Sequence, residues 1–282
     1  MVDGVGASEL GSLVGQGLLT PSKALGQNFL VDPNVAQKIA RIASLGEYGQ
    51  VLEIGPGVGS LTVFLSKYFD SVVAVDLDRY IFDPLGKTLS SRGIENVSLV
   101  HADALKDDLS RYLQPDKEYV LAANLPYNVA SHVIVKVLET MKMVKRLVVM
   151  VQFEVAQRLC ASISSKDYSS LTVKVGYYAK SKVVMKVPPT VFIPKPNVNS
   201  AVVELVRLPD RDITANECDW TFLLVKEAFS HRRQMLRRSL LRYGGEELLE
   251  GVGVDPTLRA ENLDVEVWIR LGRLAALGKS GL

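Results

Sequence analysis

Val51-Leu52-Glu53-Ile54-Gly55-Pro56-Gly57-Val58-Gly59 decides the fold class. A short apolar run passes directly into a glycine-rich turn, and Leu61 to Tyr68 continues with helical character. Strand, glycine turn and helix in that order mark a parallel α/β sheet that binds a nucleotide-type cofactor. Glycine permits the sharp bend and lets a ligand approach the backbone without meeting a Cβ. Asp76 follows Gly55 by 21 residues, at the end of the next apolar run. A carboxylate there can accept hydrogen bonds from ribose hydroxyls. The turn reads G-P-G-V-G rather than G-x-G-x-x-G, and dehydrogenases and methyltransferases share this geometry. A tight turn with no ligand also remains open.

Working outward, Val72 to Val75, Val97 to Val100, Tyr119 to Ala123 and Leu147 to Val151 repeat the strand pattern, with helical stretches between them. Continuous apolar strands in βαβ units predict a mostly parallel sheet covered on both faces. Asp32-Pro33 opens a helix, Asp as N-cap and Pro in the first turn. Val183 to Val187 and Ala201 to Val206 read as further strands, whereas Leu171 to Tyr178 fits strand or helix. From Trp220 to Arg242 the pattern is one helix, followed by shorter ones to Leu277. These spans predict an α/β catalytic domain over 1–208, built on a seven-stranded sheet, and a small helical domain over 209–282. The first 20 residues, rich in small residues, are expected to be loosely ordered.

The polar residues fall at the carboxyl ends of the strands, where such sheets place ligands. Asp78 suits a helix N-cap. Asp103, after the third strand, can cap a turn or accept from a cofactor adenine amine. Asn124-Leu125-Pro126-Tyr127 follows the fourth strand. An exocyclic adenine amine is a weak nucleophile, because its lone pair is delocalised into the ring. Acceptors on both amine hydrogens can redirect that lone pair, and the Asn124 side-chain oxygen and the Leu125 carbonyl are placed to do so. Pro126 lacks an N–H and stiffens the turn. Tyr127 offers a stacking face worth about 1–3 kcal/mol, comparable to the cost of extruding a base. The plainer alternative is a Pro-containing turn that closes a strand.

Further motifs occur in order: Leu25-Gly26-Gln27-Asn28-Phe29-Leu30, Asp103-Ala104-Leu105, Phe192-Ile193-Pro194-Lys195-Pro196, Ser200-Ala201-Val202-Val203 and Arg232-Arg233. With these the chain, from Lys23 to at least Leu241, resembles the ribosomal RNA adenine dimethyltransferases. It is most similar to their bacterial small-subunit (16S) branch. The resemblance implies a Rossmann-like class I methyltransferase fold and S-adenosylmethionine as cofactor. Asn28, Leu30, Gly55, Gly57, Asp76, Asp103 and Asn124 would contact that cofactor, and Tyr127 and Phe192 would sandwich the target base. By composition alone Phe192 is more often a core residue. Asp76 stands where the family more often has Glu, which keeps the carboxylate. The implied reaction is dimethylation of two adjacent adenosines in the 3′-terminal hairpin of 16S rRNA within the 30S subunit. The large-subunit (23S) resistance methylases are the nearest rival, disfavoured by the Ser-Ala-Val-Val run and the long C-terminal helical region. A non-catalytic assembly factor is a different class, against which the intact site residues stand.

Lys226, Arg232, Arg233, Arg237, Arg238 and Arg242 concentrate positive charge opposite a single acid, Glu227. Arg232, Arg233, Arg237 and Arg238 are the candidates for RNA phosphates, on a helix docked through Phe229, Leu236 and Leu240. A solvated helix face is the competing reading. The overall charge of +2 neither demands nor excludes nucleic acid. Two cysteines and three histidines show no metal-ligand spacing. No apolar run is long enough to span a membrane, and no secretory signal is evident. A cytoplasmic monomer is expected.

Overall fold

The structure is a computed structural model that describes residues 4–17, 19 and 27–278. Its strands are β1 (Phe29–Leu30), β2 (Gln50–Ile54), β3 (Ser71–Asp76), β4 (Val97–His101), β5 (Tyr119–Asn124), β6 (Val144–Gln152), β7 (Ala179–Val187), β8 (Phe192–Ile193) and β9 (Ser200–Arg207). Its α-helices are α1 (Ala7–Gly15), α2 (Pro33–Ala43), α3 (Thr62–Tyr68), α4 (Phe82–Ser90), α5 (Ala130–Thr140), α6 (Phe153–Leu159), α7 (Ser170–Tyr178), α8 (Ala215–Ser230), α9 (Leu236–Ser239), α10 (Gly245–Glu250) and α11 (Val265–Gly278).

Seven strands form one sheet in the order β4-β3-β2-β5-β6-β9-β7. β4, β3, β2, β5 and β6 pair in parallel, and β9 runs antiparallel to β6. β2 has β3 on one side and β5 on the other, so the chain order reverses beside it. At such a switch point the connections leave to opposite sides and open a crevice beyond the strand ends. The glycine turn after β2 and the Asn-Leu-Pro-Tyr turn after β5 both lie there. The strands hold because both faces are apolar: Val51, Leu52, Val72, Val120, Leu121, Val148 and Met150 are buried. α2 starts as its sequence predicts, with the Asp32 carboxylate accepting from the backbone N–H groups of Asn34 and Val35.

The chain divides into two compact units, residues 1–156 with 181–207, and residues 157–180 with 208–282. The boundary expected at 208 therefore needs correction, because 157–180 belongs to the second unit. The ambiguous Leu171–Tyr178 stretch is helical there, within α7. Tyr168 donates to the Leu263 carbonyl, and Tyr168 and Val173 join the core of Leu224, Leu236, Leu240, Trp268 and Leu271.

Two element-level expectations change. The N-terminal segment is not loose over its described residues: α1 forms, and Val5, Leu10 and Leu19 pack with Phe29, Val58, Ile81, Leu85 and Leu89. Arg92 grips Glu9 through two bonds of 2.7 and 3.2 Å. The single helix expected over Trp220–Arg242 is broken after Ser230. The Leu236 and Arg237 N–H groups donate to the carbonyls of Leu258 and Pro256, not to the preceding helical turn.

Candidate active site

A cavity of about 200 Å³ opens at the switch point, lined by residues from four of the expected motifs. They include Asn28 and Leu30, Gly55 and Gly57, Asp76, Asp103, and Asn124 to Tyr127. Gly55 and Gly57 both have positive φ, +73° and +55°. A Cβ on Gly57 would lie 3.1 Å from the Phe29 ring, and one on Gly55 would face the Asn124 carbonyl and Pro126. The turn keeps its backbone bare on the side facing the Asn-Leu-Pro-Tyr turn, as a cradle for a ligand needs.

Asn124 sits at the end of β5, and its amide nitrogen donates to the Asn28 carbonyl at 3.0 Å. Gln27 donates to the Asp78 carboxylate, so the segment before β1 is tied to both walls of the crevice. With its nitrogen engaged, the Asn124 amide is left with its oxygen to offer a ligand. The Pro126 carbonyl is taken by the N–H groups of Val129 and Ala130, which start the turn into α5. Among the described residues the Leu125 carbonyl, by contrast, accepts no such bond. Tyr127 is half-buried, and its phenol lies 2.7 Å from the Ser200 hydroxyl at the start of β9.

Asp76 accepts the Asp78 backbone N–H at 2.8 Å, and burial raises its pKa against that bond. The Asp103 carboxylate caps its own turn through the Leu105 N–H and meets Lys106 at 3.5 Å. Lys136 of α5 donates to the Ala104 and Asp107 carbonyls and holds this loop against the helix after the Asn-Leu-Pro-Tyr turn. Asp78 is an N-cap as expected, accepting from Tyr80.

Glu53 is the site residue that motif reading missed. It lines the cavity at 1% exposure, and its Oε2 is buried without a hydrogen-bond partner among the described residues. Burial pushes its pKa up to about 8; the nearby Thr62 hydroxyl works against this, and the Asp76 charge raises it further. The available signal was a single acid inside an apolar strand, where charged residues are rarely buried without a reason.

Two expected site residues lie elsewhere. Phe192 does not line the cavity: it pairs with Leu30 in the small β1–β8 sheet and is buried at 2% exposure among Leu30, Val187, Val191 and Val202. The prolines around it fix a loop, but the ring fills a core. In the second unit, Arg232 is not free for phosphate. Its guanidinium bonds Glu261 at 2.7 Å and the Ser165 and Lys166 carbonyls. Arg237 faces Glu246 at 3.7 Å, while Arg233 and Arg238 are exposed. Lys23 lies outside the described residues.

The comparisons with known proteins agree with this architecture. A protein 38% identical over 265 residues is the ribosomal RNA small subunit methyltransferase A of Bacillus pumilus, covering 89% of this chain and 90% of its own length. A dimethyladenosine transferase structure from Plasmodium falciparum superposes with a TM-score of 0.72 at 27% identity, over 86% of this chain and 95% of its own. The 23S rRNA methyltransferase ErmE gives 0.67 at 28% identity, over 88% and 99%. The model of the ribosomal RNA adenine dimethylase family matches residues 20–276. With its class I methyltransferase sheet and a cavity at the switch point of that sheet, the chain belongs to the ribosomal RNA adenine dimethylase family.

Proposed function

We propose that this chain dimethylates N6 of two adjacent adenosines in the 3′-terminal hairpin of small-subunit (16S) rRNA, acting as a cytoplasmic monomer on the assembling 30S subunit. The observation that carries this is the cavity at the switch point of the sheet beside the Asn124–Tyr127 turn, whose Leu125 carbonyl and Asn124 side-chain oxygen have no hydrogen-bond donor among the described residues. Among the described residues no helix is long and apolar enough to cross a membrane.

The residues present fit S-adenosylmethionine. Gly55 and Gly57 would cradle it, Asp76 would take its ribose and Asp103 its adenine, with Asn28 and Leu30 closing one side. The buried Glu53 carboxyl, whose Oε2 has no hydrogen-bond partner among the described residues, would exchange a hydrogen bond with a bound ligand. When bound, the cofactor supplies an electrophilic methyl group on a sulfonium. Asn124 and Leu125 would accept the two amine hydrogens and aim the nitrogen lone pair, and Tyr127 would stack under the extruded base. Rate then comes chiefly from position, which can contribute about 7–11 kcal/mol. Phe192 is assigned to packing. In the second unit, Arg233, Arg237 and Arg238 would meet phosphates, and Arg232 would hold the fold.

The likeness to ErmE supports a second reading, 23S rRNA adenine methylation. Methyl-labelled S-adenosylmethionine, offered with unmethylated small subunits and separately with naked large-subunit RNA, decides between them. Label on small-subunit RNA alone is expected. Label on large-subunit RNA alone would move the chain to the resistance-methylase activity.

A further inference from the structure

Ser200 begins the Ser-Ala-Val-Val run, which marks the family in sequence and reaches the site only through the Tyr127 phenol. Its side chain is fully buried, at 0% exposure, where an unpaired hydroxyl would be costly. Its partner is the Tyr127 phenol at 2.7 Å, 73 residues away in the chain. The anchor is rigid on its own side. Ser200 opens β9 opposite Gln152 of β6, and the neighbouring Asn199 carbonyl accepts the Phe153 N–H at 2.9 Å.

A tyrosine ring attached only at its Cβ can rotate about two side-chain torsions. Holding the phenol oxygen, which lies on the Cβ–Cγ axis, fixes the first torsion and so the direction of the ring, and a phenol's hydrogen bond favours the plane of its own ring and so biases the second. A stacking face held ready loses less freedom when a base arrives, so more of the stacking energy goes into holding the base in line. The hydroxyl pair also joins the turn after β5 to the end of the proline-rich loop between β7 and β9.

We propose that Ser200 is a positioning residue for the target base: its buried hydroxyl holds the Tyr127 phenol and fixes the direction in which the ring is presented to the extruded adenine. This rests on the reading of Tyr127 as the stacking face, given above.

The test is a double-mutant cycle on the full chain, using Ser200→Ala, Tyr127→Phe and both together, with small subunits as substrate. S-adenosylhomocysteine affinity is measured beside kcat and KM. Each single change is expected to lower kcat/KM roughly tenfold, and the double change no further, because both remove one bond. S-adenosylhomocysteine affinity is expected to stay within about twofold, since Ser200 does not line the cavity and the Tyr127 hydroxyl is bonded to it. Tyr127→Phe breaks the same bond from the other side, so a fold defect confined to Ser200→Ala cannot imitate the result. Wild-type rates in both singles, losses that multiply in the double, or parallel loss of S-adenosylhomocysteine binding would each overturn the proposal. A Tyr127→Ala control separates the two levels. Wild-type activity in that variant sinks the stacking reading itself, whereas its loss beside a normal Ser200→Ala sinks the Ser200 role alone.

Discussion

At the scale of single residues, chemistry and stability meet in Glu53. Its carboxyl has a pKa of about 8 in the fold against 4.5 unperturbed, because burial disfavours the charged form. Below about pH 4.5 it is neutral in folded and unfolded chains alike, and the stability it contributes is fully present. As pH rises from there to about 8, the unfolded chain ionises and the folded one resists, so that stability is lost, on the order of 5 kcal/mol in all. Glu53→Gln is expected to remove this slope. Urea denaturation of both proteins across the range checks it: curves that diverge above pH 5 agree with the assignment, and parallel curves refute it. Asn124, Asp76 and Tyr127 were legible from residue type and spacing. Glu53 was not, because nothing local distinguishes a strand acid that faces a cavity from one that faces water. Phe192, expected beside Tyr127, lies in the core next to Leu30, and an aromatic between prolines says little about which side of a loop it faces.

The elements show where local pattern loses to tertiary partners. Small residues near the N-terminus suggested a loose segment, yet Leu10 is fully buried and α1 packs against Phe29 and Val58. Leu10→Ala is expected to cost about 2 kcal/mol or more in thermal unfolding of the first unit. An unchanged midpoint would mean that α1 contributes nothing to that unit. The long helix expected through Arg242 breaks because residues 256–258 supply backbone acceptors that the 220–242 pattern cannot reveal. The same break redistributes the arginines. Arg232→Ala is expected to lower the stability of the second unit by about 1 kcal/mol or more. Arg233→Ala and Arg238→Ala are expected to leave the melting point alone and to reduce the salt dependence of RNA binding by about one unit each. If Arg232→Ala changed only the salt dependence, the structural role given to it here would be wrong.

At the scale of the whole molecule, the parallel sheet could be read from five continuous apolar strands, but their spatial order could not. The order matters, because it places β2 between β3 and β5 and so brings Gly55 within van der Waals reach of the Asn124–Pro126 turn. The division between units was legible only in part, since Tyr168 and Val173 join a core whose other members lie beyond residue 208. Family membership fixes the class of reaction, and the turn after β5 is where the account places it. The most direct measurement is the nucleoside content of small-subunit RNA labelled by the wild-type protein and by Asn124→Ala. Both proteins are first shown to fold, and any change in S-adenosylhomocysteine affinity is offset by saturating cofactor. The account predicts label in N6,N6-dimethyladenosine with the wild type and at least about a hundredfold less with the variant. Label in any other nucleoside, or undiminished dimethyladenosine from Asn124→Ala, would contradict it.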